Sequence, residues 1–389
     1  MNEKDIATYI SKQSNLRVLG LNNRYLNEVP SLIGNLKHLR YLNMSSSSIN
    51  SLPESMTCLQ NLQILKLKGC TELRELPKGM KNLRNLRCLD INGCNSLVCM
   101  PAGLGQLKHL QTLSIFIVGS DGGQQIGELE ELNLSGELTI KGLHNVRDSE
   151  DARSANLKRK QDLCALILDY GDIKTDNLLD NDEEILDGLQ PHPNLKKLSI
   201  WSYQGLKFPN WMLDLDLQNL IEISLVGCKR CEHLPPLGKL PSLKVLSIVA
   251  MDAFKCFNND CYGDGEQSFP ALEKLSFSAM PSLEEWTTVD RGENFPRLRN
   301  YTSINVPDGL LQNHKVLEFL WISGLRNLKT LSHQLDNLSA LKELTINCCN
   351  SLEYLPDGLK NLRSLERLEL RIVTALHPYR RQGYKACLP

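Results

Sequence analysis

The sequence predicts an α/β solenoid, a stack of short repeats with a parallel sheet on the concave side and irregular or 3₁₀ segments on the convex side. Three observations predict it. A Leu-x-x-Leu-x-Leu phrase returns every 23 or 24 residues in the first part of the chain, a proline-led apolar pattern follows it, and a small polar or thiol residue stands three positions after its last leucine. Repeats of this length stack on their neighbours and bury one continuous core.

The leucine phrase itself predicts the strands. It begins at Leu16, Leu39, Leu62, Leu86 and Leu110 and returns in the second half of the chain. Its final Leu-x-Leu alternation has a period of two, so the leucines face one side of a short strand and the residues between them face the other. This pattern is typical of a leucine-rich-repeat solenoid, or horseshoe, and we count about fourteen such repeats.

Proline positions predict where each strand gives way to the convex side. Pro30, Pro53 and Pro77 are each followed by apolar residues three and six positions later. Proline disfavours a helical conformation at the residue before it, and the apolar spacing after it suits a short 3₁₀ turn. Cys70 and Cys94 stand three residues after the last leucine, where we expect buried thiols that donate weakly to backbone carbonyls in a ladder between coils.

The repeats divide the chain into five segments. These are an N-terminal remnant at 1–15, regular repeats at 16–116, irregular repeats with an acidic loop at 117–194, further repeats at 195–373 and a non-repeat tail at 374–389. Because solenoids need caps over their terminal coils, both ends of this chain look cut. We expect a piece of a larger protein or a shortened gene product.

Composition excludes several function classes. The 44 basic and 45 acidic residues leave a net charge of −1, so no overall positive field is available to bind nucleic acid or an anionic membrane. The sequence contains neither a long apolar run nor a signal peptide, and in that setting its thirteen cysteines indicate reduced thiols. We expect a cytoplasmic protein, with the nucleus as the alternative compartment.

No constellation of residues predicts catalysis or a cofactor. Cys228 and Cys231 form a Cys-x-x-Cys pair, but no second pair stands at the spacing of zinc ligands. Cys256 and Cys261 lie in a loop without an accompanying histidine. The sequence therefore predicts no metal, no cofactor and no enzymatic activity.

The residues between the framework leucines form the candidate binding surface. They face the concave side, where aromatic residues and arginines are typical anchors of protein interfaces. Trp201 and Trp321 are the sharpest candidates because neither belongs to the leucine framework; the alternative is that a neighbouring loop or coil covers each ring. The full set of candidates is Tyr41, Asn43, Lys66, Lys68, Asp90, Phe116, Lys197, Trp201, Phe319, Trp321, Glu343, Arg367, Glu369 and Arg371.

Several segments carry a resemblance to a known family. LPESMTCLQNLQILKLKGC at 52–70, GELTIKGLHNV at 136–146, ANLKRK at 155–160 and LQPHPNLKKLSI at 189–200 resemble the leucine-rich-repeat domain of plant intracellular disease-resistance proteins, the class that also has coiled-coil and nucleotide-binding domains. The P-loop string Gly-x-x-x-x-Gly-Lys-Ser/Thr of that family does not occur in this sequence. The resemblance therefore implies a recognition module that lacks the nucleotide-binding domain.

The same resemblance implies a function, a non-catalytic protein-recognition module in plant defence. The partner it implies is a pathogen effector, a guarded host protein or the nucleotide-binding domain of a full-length receptor. It assigns ligand sensing to the repeats from about residue 298 onward. A general intracellular leucine-rich-repeat scaffold and a non-functional truncated receptor fragment are the alternatives.

Overall fold

The computed structural model describes residues 3–120, 124–171, 181–214, 216–263, 267–283, 285–286, 294–303, 316–323, 335, 338–349 and 357–371. The chain divides into two compact units, Met1–Leu220 and Ile221–Pro389. In the described part of both units, parallel strands of two to seven residues alternate with short helices and turns.

The first unit contains two groups of parallel strands. Strands β1 to β5 form one sheet in sequence order, and β6 to β9 pair in sequence order in another. The strands are β1 (Val18–Gly20), β2 (Tyr41–Asn43), β3 (Ile64–Lys66), β4 (Cys88–Asp90), β5 (Thr112–Leu113), β6 (Ile115–Ile117), β7 (Gly136–Lys141), β8 (Leu163–Asp169) and β9 (Lys197–Trp201). The α-helices are α1 (Glu3–Ser11), α2 (Ser149–Ser154), α3 (Asp182–Gly188) and α4 (Asn210–Leu213).

The second unit repeats this plan. Its main strands pair in parallel in the order β10, β11, β13, β15, β16, β17 and β18, while β12 pairs with β14 in a small side sheet. The strands are β10 (Glu222–Val226), β11 (Val245–Val249), β12 (Cys256–Phe257), β13 (Lys274–Ser278), β14 (Glu285–Trp286), β15 (Asn300–Ser303), β16 (Phe319–Ser323), β17 (Glu343–Asn347) and β18 (Arg367–Arg371), and helix α5 spans Asn259–Tyr262.

The framework leucines build the core as the sequence predicts. Leu42 is in register with Leu65, and Leu65 with Leu89, and all three are fully buried. After each of Pro30 and Pro53, which have extended backbones, a 3₁₀ helix follows on the other side of the coil. These helices span Ser31–Asn35, Glu54–Cys58, Lys78–Asn82 and Leu104–Gln106. The leucine-rich-repeat solenoid is confirmed.

A left-handed residue ends many of the strands. The residue two positions after the last framework apolar residue has a positive φ, 73° at Gly69, 76° at Gly93 and 69° at Gly227. Ser46 and Ala250 take the same conformation at the equivalent position, with φ of 58° and 55°. Because this region is unfavourable for residues with a Cβ, the turn is fixed by the packing around it rather than by glycine alone.

Polar ladders hold neighbouring coils together. The Cys70 thiol donates to the Met44 carbonyl at 3.1 Å and the Cys94 thiol to the Leu67 carbonyl at 3.2 Å, so the predicted thiol ladder is confirmed at these two positions. A second ladder precedes the first leucine of the repeat, where Asn61 donates to the Lys37 carbonyl of the preceding coil. Asn85, Asn194 and Asn219 make the corresponding bond. The second ladder was not expected from the sequence.

The sheet of the first unit is interrupted at Ser114. Its amide donates to the Leu89 carbonyl of β4, whereas its own carbonyl accepts from Thr139 of β7. The Ser114 hydroxyl also accepts from the Ile91 amide at 2.8 Å. One strand of the repeat is therefore split into β5, which pairs with β4, and β6, which pairs with β7.

This interruption makes one prediction wrong. Regular alternation after Leu113 would turn Ile115 inward and Phe116 outward, onto the concave face. Instead Phe116 is in register with the core residue Ile140, and its exposed fraction is 0%. The extra residue at the break shifts the alternation by one, and such a slip exchanges the two faces of a strand. Phe116 is a core residue and not part of a concave binding surface.

Residues 3–11 form helix α1 instead of an irregular remnant. Ile6 and Ile10 are 2% and 5% exposed, and the helix packs against the 3₁₀ helix Ser31–Asn35 of the first repeat. The two isoleucines are four positions apart in the sequence, which places both on one face of the helix. The tail expected at 374–389 and residues 172–180 of the acidic loop lie outside the described residues.

A buried lysine organises the irregular repeats. Lys160, the last residue of the ANLKRK segment, is 5% exposed. Its Nζ donates to the carbonyls of Leu129 and Leu132 at 2.7 and 2.8 Å, and more distantly to that of Glu130 at 3.4 Å. Leu129 ends the 3₁₀ helix Ile126–Leu129, and the Leu129 and Leu132 carbonyls also accept from the backbone amides of Leu132 and Leu134. Burial lowers the pKa of Lys160 from 10.5 to about 8.

We expect Lys160→Met to lower the free energy of unfolding by about 2 kcal/mol, because the Leu129 and Leu132 carbonyls lose their charged donor in a buried place. The unfolded chain holds the Lys160 proton more tightly than the folded chain between pH 8 and 10.5, so the advantage of wild type over the variant should grow as the pH rises through this range. Urea melts at pH 7, 8.5 and 10 measure both effects. Lys158→Met, at an exposed position of the same segment, is the control; an equal loss in both variants would contradict the assignment.

Leu344→Ala tests the nearest-neighbour stability of the second unit. Leu344 is fully buried in β17, in register with Leu320 and Leu368. The truncation should cost about 2–5 kcal/mol. Since each repeat contacts only its neighbours, hydrogen exchange should accelerate first in β16 to β18. Uniform acceleration along the whole chain would be the opposite result.

Candidate functional site

The candidate residues of β2 to β4 lie in register on the concave face. Asn43 is opposite Lys66, and Lys66 is opposite Asp90, with all three half-buried. The Asn43 side chain accepts from the amide and hydroxyl of Ser45 at 3.0 and 2.7 Å, which fixes its orientation. Tyr41 is half-buried on the row beside them, and Lys68 is exposed just beyond β3. This group is polar and mixed in charge.

The two candidates of β9 differ in accessibility. Trp201 is half-buried and lies opposite Asp169 of β8. Its indole nitrogen is buried and has no hydrogen-bond partner within the described residues. The ring is therefore only partly exposed, and the role of Trp201 in binding stays a prediction. Lys197, at the start of the same strand, is exposed.

The most accessible aromatic pair lies on β16. Phe319 and Trp321 are 41% and 44% exposed, while the alternating residues Leu320 and Ile322 are 1% and 0% exposed. The period of two thus separates a core face from a concave face within five residues. Phe319 lies between Asn300 and Glu343, and Trp321 lies between Thr302 and Thr345. Because most of these neighbours are short, they leave both rings more than 40% exposed.

An ion-pair network borders this aromatic pair. Arg367 and Arg371 of β18 both bind Glu369, with nitrogen–oxygen distances of 2.8 and 2.5 Å. Arg367 also lies 3.8 Å from Glu343 of β17. The network brings together four predicted site residues, and its two cations balance its two anions. Such exposed pairs add little stability, but they hold long side chains in place beside the rings.

The side chains of this surface are aromatic and charged, and several cysteines elsewhere in the described residues are buried. Among the described residues, no group of three or more His, Cys, Asp or Glu side chains could hold a metal ion. Burial raises the pKa of Cys94 and of Cys261 to about 12, so these thiols are neutral donors in the core. No helix in the described ranges is long and apolar enough to cross a membrane.

Comparison with known proteins shows that the chain is similar to plant disease-resistance proteins. A family described as R13L1/DRL21 leucine-rich repeats matches residues 126–251. Disease resistance protein RGA2 of Solanum bulbocastanum is 42% identical over 358 residues, which are 90% of this chain and 37% of that protein. Disease resistance RPP13-like protein 1 of Arabidopsis thaliana is 32% identical over 67% of this chain and 30% of that protein.

A solved structure supports the fold independently. A leucine-rich-repeat protein of Leptospira interrogans superimposes with a TM-score of 0.57 at 24% identity, covering 97% of this chain and 83% of the other. Against the curated plant relatives, the chain spans only 37% and 30% of their length. The shared part includes the linking segments at 136–200 that distinguish these repeats from generic ones. The chain is a leucine-rich-repeat protein whose repeats are related to those of plant disease-resistance proteins.

Proposed function

We propose that this chain is a non-catalytic protein-recognition module of the plant defence response, and that it binds its partner through the concave surface of β16 to β18. The partner is a pathogen effector, a guarded host protein or the nucleotide-binding domain of a full-length receptor. We place the chain in the cytoplasm, where the resemblance puts such receptors. Similarity to plant disease-resistance proteins over 90% of the chain supports the biological setting.

The accessible pair Phe319 and Trp321 carries this proposal. A tryptophan exposed to 44% leaves a large apolar surface in water, and such residues dominate the binding energy of protein interfaces when a partner covers them. The ion-pair network on β17 and β18 adds a polar rim whose side chains already pair with one another. Side chains held by such pairs lose less conformational entropy when a partner binds.

A general intracellular scaffold and a truncated, non-functional fragment are the remaining alternatives. The scaffold predicts binding to partners outside defence signalling. The fragment predicts that the purified chain does not melt cooperatively. Separate measurements of binding and of melting on the purified chain distinguish both alternatives from our proposal.

The test measures binding of the purified chain to three purified candidates, one from each partner class, by biolayer interferometry. For the candidate that binds, Trp321→Ala should weaken binding by about thirtyfold or more, because truncating an interface tryptophan typically costs 2 kcal/mol or more. Trp321→Ala combined with Arg371→Ala should weaken it further. Circular-dichroism melts of both variants should match wild type, since neither side chain is buried.

Val98→Ala is the matched control, because Val98 is an apolar side chain of the first unit that is 73% exposed. It should leave affinity unchanged. If the Trp321→Ala variant binds as tightly as wild type, the β16 surface is not the recognition site.

A further inference from the structure

In each unit, a line of equivalent residues runs along one edge of the parallel strands. We call it the edge row: the residue that directly follows the first leucine of each repeat. In the first unit the Arg17 carbonyl accepts hydrogen bonds from the amides of Arg40 and Tyr41 at 2.8 and 3.1 Å. In the second unit the Lys244 carbonyl accepts from Glu273 and Lys274 at 2.8 and 2.9 Å. The same two bonds recur at successive repeats, so edge-row positions are geometrically equivalent.

In the second unit the edge row neutralises itself. It alternates in charge through Lys244, Glu273, Arg299, Glu318 and Lys342. Lys244 lies 3.0 Å from Glu273, and Glu318 lies 2.9 Å from Lys342 and 3.7 Å from Arg299. Side chains one repeat apart on this row therefore reach each other. These cations also lower the pKa of the Glu273 and Glu318 carboxyl groups. The hydrogen bonds from Lys244 and Lys342 are the main causes.

In the first unit the same row has no acidic residue. From the first repeat to the fifth it consists of Arg17, Arg40, Gln63, Arg87 and Gln111. The three arginines are exposed, and no carboxylate of the described residues forms an ion pair with them. Arg17 and Arg40 are direct neighbours of like charge, an arrangement that costs stability. Residues 16–116 contain twelve lysines and arginines against five acidic residues, so the surroundings do not compensate.

An apolar line lies directly beside these arginines. Val18, Tyr41, Ile64 and Cys88 are in register across β1 to β4 on the concave face. Val18 is 62% exposed, and the other three are half-buried. Cations on one side and apolar side chains on the other complement a partner surface that is acidic along one line and apolar along the next.

The spacing of the repeats selects the form of that partner. Neighbouring strands are about 4.8 Å apart, close to the pitch of about 5.4 Å of an α-helix. A helix laid across the strands places one turn over each repeat, with side chains four residues apart meeting equivalent positions. An extended segment repeats its side chains on one face every 6.6 Å or so, and after two repeats they no longer lie over equivalent positions of the strands.

We propose that Arg17, Arg40 and Arg87, with Val18, Tyr41 and Ile64 beside them, bind an acidic amphipathic helix of a partner protein. The distance from the Arg17 repeat to the Arg87 repeat is about 14 Å, which about ten helical residues span. Acidic residues of the helix pair with the arginines, and its apolar residues cover the Val18 line. This surface lies in the first unit and does not depend on the recognition site on β16.

The test uses the purified full chain and three fluorescent synthetic peptides of about sixteen residues. The first has glutamates and leucines spaced to form adjoining faces of one helix, the second has the same composition in scrambled order, and the third has glutamine in place of glutamate. Fluorescence anisotropy should show binding of the first peptide only, with an affinity that falls as salt increases. The triple variant Arg17→Gln, Arg40→Gln and Arg87→Gln should bind it about tenfold more weakly.

Arg299→Gln is the matched control, because it removes an arginine from the same row where the row is self-paired; it should change affinity less than about twofold. Val18→Asn removes exposed apolar surface without touching charge and should also weaken binding, which separates loss of binding from a general loss of positive charge. Equal binding of the scrambled peptide, unchanged affinity of the triple variant, or displacement of the peptide by a single-stranded oligonucleotide at similar concentration overturns the proposal.

Discussion

The parallel register between neighbouring repeats is the constraint on which the described parts of each unit depend. Leu42, Leu65 and Leu89 occupy the same place in successive strands, and the edge-row carbonyls from 17 to 87 and from 244 to 342 each accept two amides from the next coil. This register makes residues 19 to 32 apart in the sequence direct neighbours in space. The thiol ladder, the asparagine ladder and the edge-row ion pairs all follow from it. Repeat length varies without loss of this register, because the extra residues lie outside the strands. A one-residue shift within a strand would separate these partners, whereas a change of side chain on the concave face separates none.

That difference explains how the fold can carry recognition. The core face of each strand is restricted to leucine and similar residues, because neighbouring coils close-pack against it. The concave face has no such restriction, so its residues vary without loss of the register. Within β16, two fully packed residues alternate with two aromatic residues that are more than 40% exposed. The same backbone therefore stabilises the unit and presents a surface whose chemistry is set repeat by repeat.

The sequence predicts well what depends on local pattern, and less well what depends on register. The strands, the proline-led 3₁₀ helices and the burial of Cys70 and Cys94 follow from residue type and spacing alone. The interruption at Ser114 does not, because it is decided by which neighbour each half of the strand pairs with. A signal was nevertheless present: Ile115 to Val118 are four consecutive apolar residues, which breaks the alternation of a strand with one exposed face. The buried role of Lys160 left no such signal, since a lysine among charged residues predicts exposure.

For the candidate site, the sequence predicts which side chains share a face of a strand, but not which of them contact each other. Alternation placed Phe319, Trp321, Glu343 and the residues of β18 on one face, yet the neutral network around Glu369 depends on rotamers that spacing does not specify. The charge pattern of the edge row also depends on register and is not visible in the sequence. Its residues are an unremarkable series of charges in the sequence, and only the one-repeat register turns them into an alternating, self-paired line in one unit and an uncompensated cationic line in the other. Because like-charged neighbours at equivalent positions cost stability and a single Arg-to-Glu exchange would remove the cost, the cationic line is best explained by a partner that supplies the missing carboxylates.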